Sequence, residues 1–163
     1  MTSAEIPIPA GARPAALPLF QLIERVESPG RADWTDIPAG PGNYIVFLPE
    51  NVPFTISPDA PALEAERIRD KWERINLRKP TDILYIGKAA NLRQAIRALA
   101  RFGAGRGGSA RGGEWLWQVA PIRQARLEWM ECAPGKEKAM KETLLACFLE
   151  EHGEWPLANR RYR

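Results

Sequence analysis

The apolar positions of this chain fall into several short patterned blocks separated by proline and glycine. Positions 43–48 (Asn-Tyr-Ile-Val-Phe-Leu) and 82–86 (Asp-Ile-Leu-Tyr-Ile) are rich in β-branched and aromatic residues, and 126–131 (Arg-Leu-Glu-Trp-Met-Glu) alternates Leu127 and Trp129 with charged or flexible neighbours; each predicts a strand. Gly87 is expected to end the second of them. Leu63, Ile68, Trp72 and Ile75 recur at roughly helical spacing and predict a helix over 62–76. Asn91 stands as an N-cap with Gln94 three residues on, so a second helix runs to about Phe102 and stops at Gly103. A last helix begins near Lys136, turns Met140, Leu144, Leu145, Phe148 and Leu149 inward, and caps at Gly153.

The remaining stretches carry weaker patterns. Positions 1–19 are rich in proline and alanine and read as a flexible arm. Positions 20–26 fit a short helix or an edge strand, and 114–119 fit a strand or a helical turn. Positions 103–113 form a Gly/Arg loop. The order strand, inserted helix, strand, helix, loop, strand, helix predicts an α+β domain with a small antiparallel sheet of about three strands flanked by helices. Its expected extent is 36–163, with 1–35 as arm and lead-in and 49–81 as an insertion between the first two strands.

With 163 residues the chain suffices for one domain and one core. The net charge of +3 is modest, but its distribution is uneven. Lys88, Arg93, Arg97, Arg101, Arg106, Arg111, Arg123 and Arg126 stand against Glu114 alone, acids dominate from Glu128 to Glu154, and Arg160, Arg161 and Arg163 follow. Such a segregation fits either a phosphate-facing surface or a solvated arginine-rich one. Cys132 and Cys147 lack metal-site spacing and read as small hydrophobes. No stretch is apolar enough to span a membrane, and Pro7, Pro9, Pro14 and Pro18 interrupt any signal-like run, so a cytoplasmic location is expected.

The candidate chemistry lies in Tyr85-Ile86-Gly87-Lys88-Ala89-Ala90-Asn91-Leu92, preceded by Gly42-Asn43-Tyr44 and followed by Glu142-Thr143-Leu144-Leu145 and Trp155-Pro156-Leu157-Ala158-Asn159. Together these blocks resemble the GIY-YIG nuclease family over roughly 36–48 and 82–161. The run after Tyr85 is similar to that in the N-terminal nuclease domain of the bacterial excision-repair incision subunit. The resemblance implies metal-dependent DNA phosphodiester hydrolysis, in which tyrosines position a water, an arginine clamps the phosphate and a glutamate holds Mg²⁺ or Mn²⁺. Carried over, Tyr44 and Tyr85 match the motif tyrosines and Gly42 and Gly87 the motif glycines. Lys88 is then a phosphate contact, Glu142 the metal ligand (with Glu137 an equal alternative), and Asn159 the asparagine that closes and braces the site.

The chain departs from the pattern at three places. The family arginine falls at Ala95, whose helix face is shared with Leu92, Ile96, Leu99 and Phe102, while Arg93 and Arg97 point away from it. Arg106 or Arg111 would have to fold back to replace it. A histidine that some relatives carry falls at Ala110, and Asn43 replaces the apolar middle residue of the first motif. Two functional readings therefore follow. The leading one is a divalent-metal-dependent DNA endonuclease that needs Glu142 and either takes its phosphate cation from another arginine or is impaired by Ala95. The other is an inactive nucleic-acid-binding or adaptor module that uses Arg93, Arg97 and Arg101 as a basic stripe. Trp115, Trp117 and Trp129 fit either stacking partners or core, and His152 reads as a helix-end residue.

Overall fold

The computed structural model describes residues 15–28, 30, 32–107 and 113–160. Of the residues named above, Pro7, Pro9, Pro14, Ala110, Arg111, Arg161 and Arg163 lie outside the described residues. The chain runs β1 (Ala15–Pro18), α1 (Leu19–Glu27), β2 (Gly42–Phe47), α2 (Ala62–Arg78), β3 (Ile83–Ala89), α3 (Leu92–Gly103), β4 (Arg126–Glu131) and α4 (Glu137–His152). Residues Glu114–Gln118, where a strand and a helical turn fitted equally, form a 3₁₀ helix.

The fold is α+β with an antiparallel sheet of four strands in the order β1-β4-β2-β3, where three were expected. The additional strand comes from the end of the stretch read as an arm. Ala15-Ala16-Leu17-Pro18 pairs with β4 from Ala15↔Trp129 to Pro18↔Arg126. Its residue types show no alternation, and it is an edge strand whose pairing comes from β4, which is why local pattern missed it. Leu19 then donates its N–H to Ala125 O at 2.8 Å and begins α1, whose Leu19, Leu22 and Ile23 are fully buried and pack towards α3.

Strand β3 does not stop at Gly87 but continues to Ala89, because Gly42, Asn43 and Tyr44 of β2 pair with Ala89, Lys88 and Gly87. Alternation along the strands puts Tyr44, Tyr85 and Gly87 on one face, with Asn43, Ile86 and Lys88 on the other. α3 covers the first face: Leu92 packs so closely on Gly42 that a Cβ there would lie 2.5 Å from Leu92 Cδ1. α4 covers the second, where Asn43 Nδ2 donates to Glu137 O at 3.0 Å, and α2 packs on α4.

Helix ends follow the local chemistry. Asn91 Oδ1 accepts from Gln94 N at 3.0 Å, while Leu92 N and Arg93 N donate to Gly40 O and Pro38 O. The first three N–H groups of α3 are thus all used inside the fold. α4 closes on Gly153 at φ +70°, the left-handed conformation that favours glycine. Along α2, Leu63 is 60% exposed, against expectation, because it lies about 140° around the helix from Ile68. The inner face instead carries Lys71, which is buried and donates to Leu157 O at 3.1 Å and Asn159 O at 2.8 Å. The insertion therefore holds the C-terminal segment in place. Among the described residues, no helix is long and apolar enough to cross a membrane.

Candidate functional site

The register Tyr44↔Gly87 and Val46↔Tyr85 sets the two motif tyrosines diagonally on neighbouring strands. Their ring centroids lie 6.0 Å apart at 47°. Tyr44 crosses directly over Gly87, where a Cβ would lie 2.3 Å from Tyr44 Cζ. Trp129 stands opposite Tyr44 on β4, and all three aromatic residues are buried. Burial, then the neighbouring phenol of Tyr85 and the hydrogen bond between them, push the Tyr44 hydroxyl far above its ordinary range. At neutral pH this group is a hydrogen-bonding phenol, and a phenolate base is not accessible to it.

A stability consequence follows, with the sign fixed by the raised value. The native state keeps the Tyr44 proton at pH values where the unfolded chain, near pKa 10.0, releases it. The stabilisation is complete below pH 10 and is lost as pH rises through the folded-state value. Urea midpoints should therefore fall faster above pH 10 in the native chain than in Tyr44→Phe. The difference should approach about 1.4 kcal/mol per pH unit. Parallel curves for the two proteins would show that Tyr44 does not titrate on unfolding.

Ala95, where the resemblance to the nuclease family would put an arginine, is a partly buried residue packed against the core beside Leu92 and Ile96. Arg93 is turned elsewhere and donates Nε–H to Ile37 O at 2.8 Å. Arg97 and Arg101 are exposed on α3, and Arg106 is exposed just beyond it. Arg101 Nη2 donates to Arg106 O at 3.2 Å. Of the expected stripe, Arg93 is thus committed to the backbone, while Arg97 and Arg101 line a surface pocket.

Glu142 lies exposed on α4, and among the described residues no group of three or more His, Cys, Asp or Glu gathers in metal-ligating reach. The half-buried carboxylate at this end is Glu137. Its Oε1 is buried without a hydrogen-bond partner among the described residues, as is Oδ1 of Asn43. Carboxylate and amide oxygens are the donor types that divalent cations take. These two sit, however, on the sheet face opposite Tyr44 and Tyr85, since Asn43 and Tyr44 are consecutive in β2. Lys88 is exposed on that same opposite face. The charge of Lys88 adds to burial in lowering the pKa of half-buried Lys141, one turn beyond Glu137.

Asn159 is buried rather than presented to a nucleic acid. Its side chain accepts from Ile86 N and donates to Ile86 O, both at 2.9 Å, while Ala158 N donates to Leu84 O. The C-terminal segment thereby covers the outer edge of β3 as a short strand would.

Four residues that sequence reasoning did not assign contribute here. Asn43 ties β2 to β3 and α4 through Gly87 O and Glu137 O, and Lys71 anchors the segment bearing Asn159. Arg25 and Trp34 join Arg97 and Arg101 in the surface pocket. The helical period around Ile68 and Ile75 pointed to position 71, but the residue type argued against burial. Compared with family models, curated proteins and solved structures, the chain gave no match.

Proposed function

We propose that this chain is a GIY-YIG-like domain that binds nucleic acid without cleaving it. The observation that carries this reading is Ala95, a partly buried apolar residue packed against the core at the position where the resemblance expects the phosphate-clamping arginine. Losing such a clamp costs on the order of 10²–10³ in rate or more. Exposed Glu142 and the raised pKa of Tyr44 support the same reading, because Glu142 is no enclosed metal carboxylate and Tyr44 no phenolate base. Exposed Arg97 and Arg101 supply cations for phosphate contact without hydrolysis.

The paired tyrosines favour a second reading, an impaired divalent-metal-dependent DNA endonuclease. In it, Glu142 or Glu137 would hold Mg²⁺ or Mn²⁺, which supplies Lewis acidity when bound. Cleavage of supercoiled and branched DNA with either metal separates the two, together with fluorescence anisotropy on the same DNA. The binding reading expects salt-sensitive association and no metal-dependent product from the native chain. Metal-dependent cutting that is abolished by Glu142→Ala or Glu137→Ala would instead establish the endonuclease. Ala95→Arg tests the clamp alone: cutting by that variant only would locate the missing function at position 95.

A further inference from the structure

Between α1 and α3 lies a surface pocket of about 150 Å³ whose walls include Arg25, Val26, Ala32, Trp34, Arg97 and Arg101. Its charges are only partly compensated. Arg25 donates through both Nη atoms to the Asp36 carboxylate at 2.8 and 2.7 Å, and Asp33 adds a weaker attraction. Among the described residues, Arg97 makes no ion pair, and Arg101 donates to the Arg106 carbonyl. Trp34, 8% exposed, lies near the guanidinium groups of both Arg25 and Arg97, whose Cζ atoms are 5.4 and 5.9 Å from its ring centroid. Such cation–π contacts help hold like charges close together. At 8% exposure the ring offers little platform for a stacked base.

The geometry points to a phosphate site: we propose that Arg97 and Arg101 seat a phosphate group of a nucleic-acid strand in this pocket. They stand four residues apart on α3 and so share one face. Each planar guanidinium can present two parallel N–H groups to phosphate oxygens. The Arg25–Asp36 pair forms a fixed wall on one side. Val26, Ala32 and the Trp34 ring limit the water that would screen the interaction. The pocket lies at the α1–α3 surface, whereas Lys88 faces α4 across the sheet, so the phosphate is received away from the residue that motif position alone suggested. This inference rests on the nucleic-acid reading for its ligand.

The test compares the native chain, Arg97→Gln/Arg101→Gln and Arg123→Gln, an exposed arginine paired with Glu27 outside the pocket. Anisotropy with a single-stranded oligonucleotide is measured across a salt series, in 5′-hydroxyl and 5′-phosphate forms. The double variant should bind at least about tenfold more weakly, and its salt slope should be smaller by about two. The Arg123→Gln control should keep both near native values. Loss confined to the 5′-phosphate form would make the ligand a terminal phosphate, and loss in both forms a backbone phosphate. Equal affinities and slopes in the double variant and native chain would overturn the site. If the native chain binds no oligonucleotide, the nucleic-acid reading fails, and inorganic phosphate then decides for the pocket. A phosphate-dependent shift of the Trp34 indole resonance, identified with Trp34→Phe and lost in the double variant, would support an anion site. An unmoved resonance would overturn it.

Discussion

Asn159→Leu should destabilise the folded chain by about 4 kcal/mol, because it leaves both polar groups of Ile86 buried and unpaired at about 1–3 kcal/mol each. Leucine fills much the same volume, so the loss reports hydrogen bonding more than a cavity. Typical domains carry about 5–15 kcal/mol in total, so the variant would sit near its folding threshold at ordinary temperature. The edge of β3 would open with it, since Ala158 N–H and the Lys71 ammonium hold the same segment. Urea unfolding measures the loss, and hydrogen exchange at the Ile86 amide reports where it is felt. Lys71→Met acts on the same segment, so the double variant should cost clearly less than the sum of the two single changes. A loss below about 1 kcal/mol for Asn159→Leu, or strict additivity with Lys71→Met, would mean that the segment is not a brace.

What the sequence revealed, and what it hid, follows the range of the interactions concerned. The Asn91 cap on α3 was legible because donor and acceptor are three residues apart, and the glycine end of α4 because a left-handed residue closes it locally. The motif strands were legible from their residue types, but the end of β3 was not, since β2 rather than Gly87 decides how far the pairing runs. β1 was illegible for the same reason: its four residues become a strand only through β4, more than a hundred positions away. Lys71 shows the limit of residue-type rules. A lysine on a helix reads as solvent-facing, and only the carbonyls of Leu157 and Asn159 make its burial tolerable. The candidate pocket joins Arg25 and Trp34 to Arg97 and Arg101 across at least 63 positions, a grouping that periodicity on either helix does not reveal.

Gly87→Ala should cost about 3 kcal/mol, at the upper end of the usual overpacking penalty. Its Cβ would lie 2.3, 2.6 and 2.7 Å from three atoms of the Tyr44 ring, all closer than real contacts allow. The ring has little room to give, being buried with Tyr85 beside it and Trp129 on the adjacent strand. The strain is specific to that ring, so a double-mutant cycle isolates it. Tyr44→Ala alone leaves a cavity worth about 3–5 kcal/mol, yet in that background Gly87→Ala should be nearly neutral. The coupling should therefore approach the full 3 kcal/mol, measured from urea unfolding of the four proteins. An equal cost of Gly87→Ala in both backgrounds would show that the glycine serves the β3 backbone instead. Strong coupling would mean that Tyr44 and Gly87 are required together for packing on this sheet face. Their presence in one chain then follows from the fold, and a claim of hydrolysis has to rest on position 95 and the carboxylates of α4.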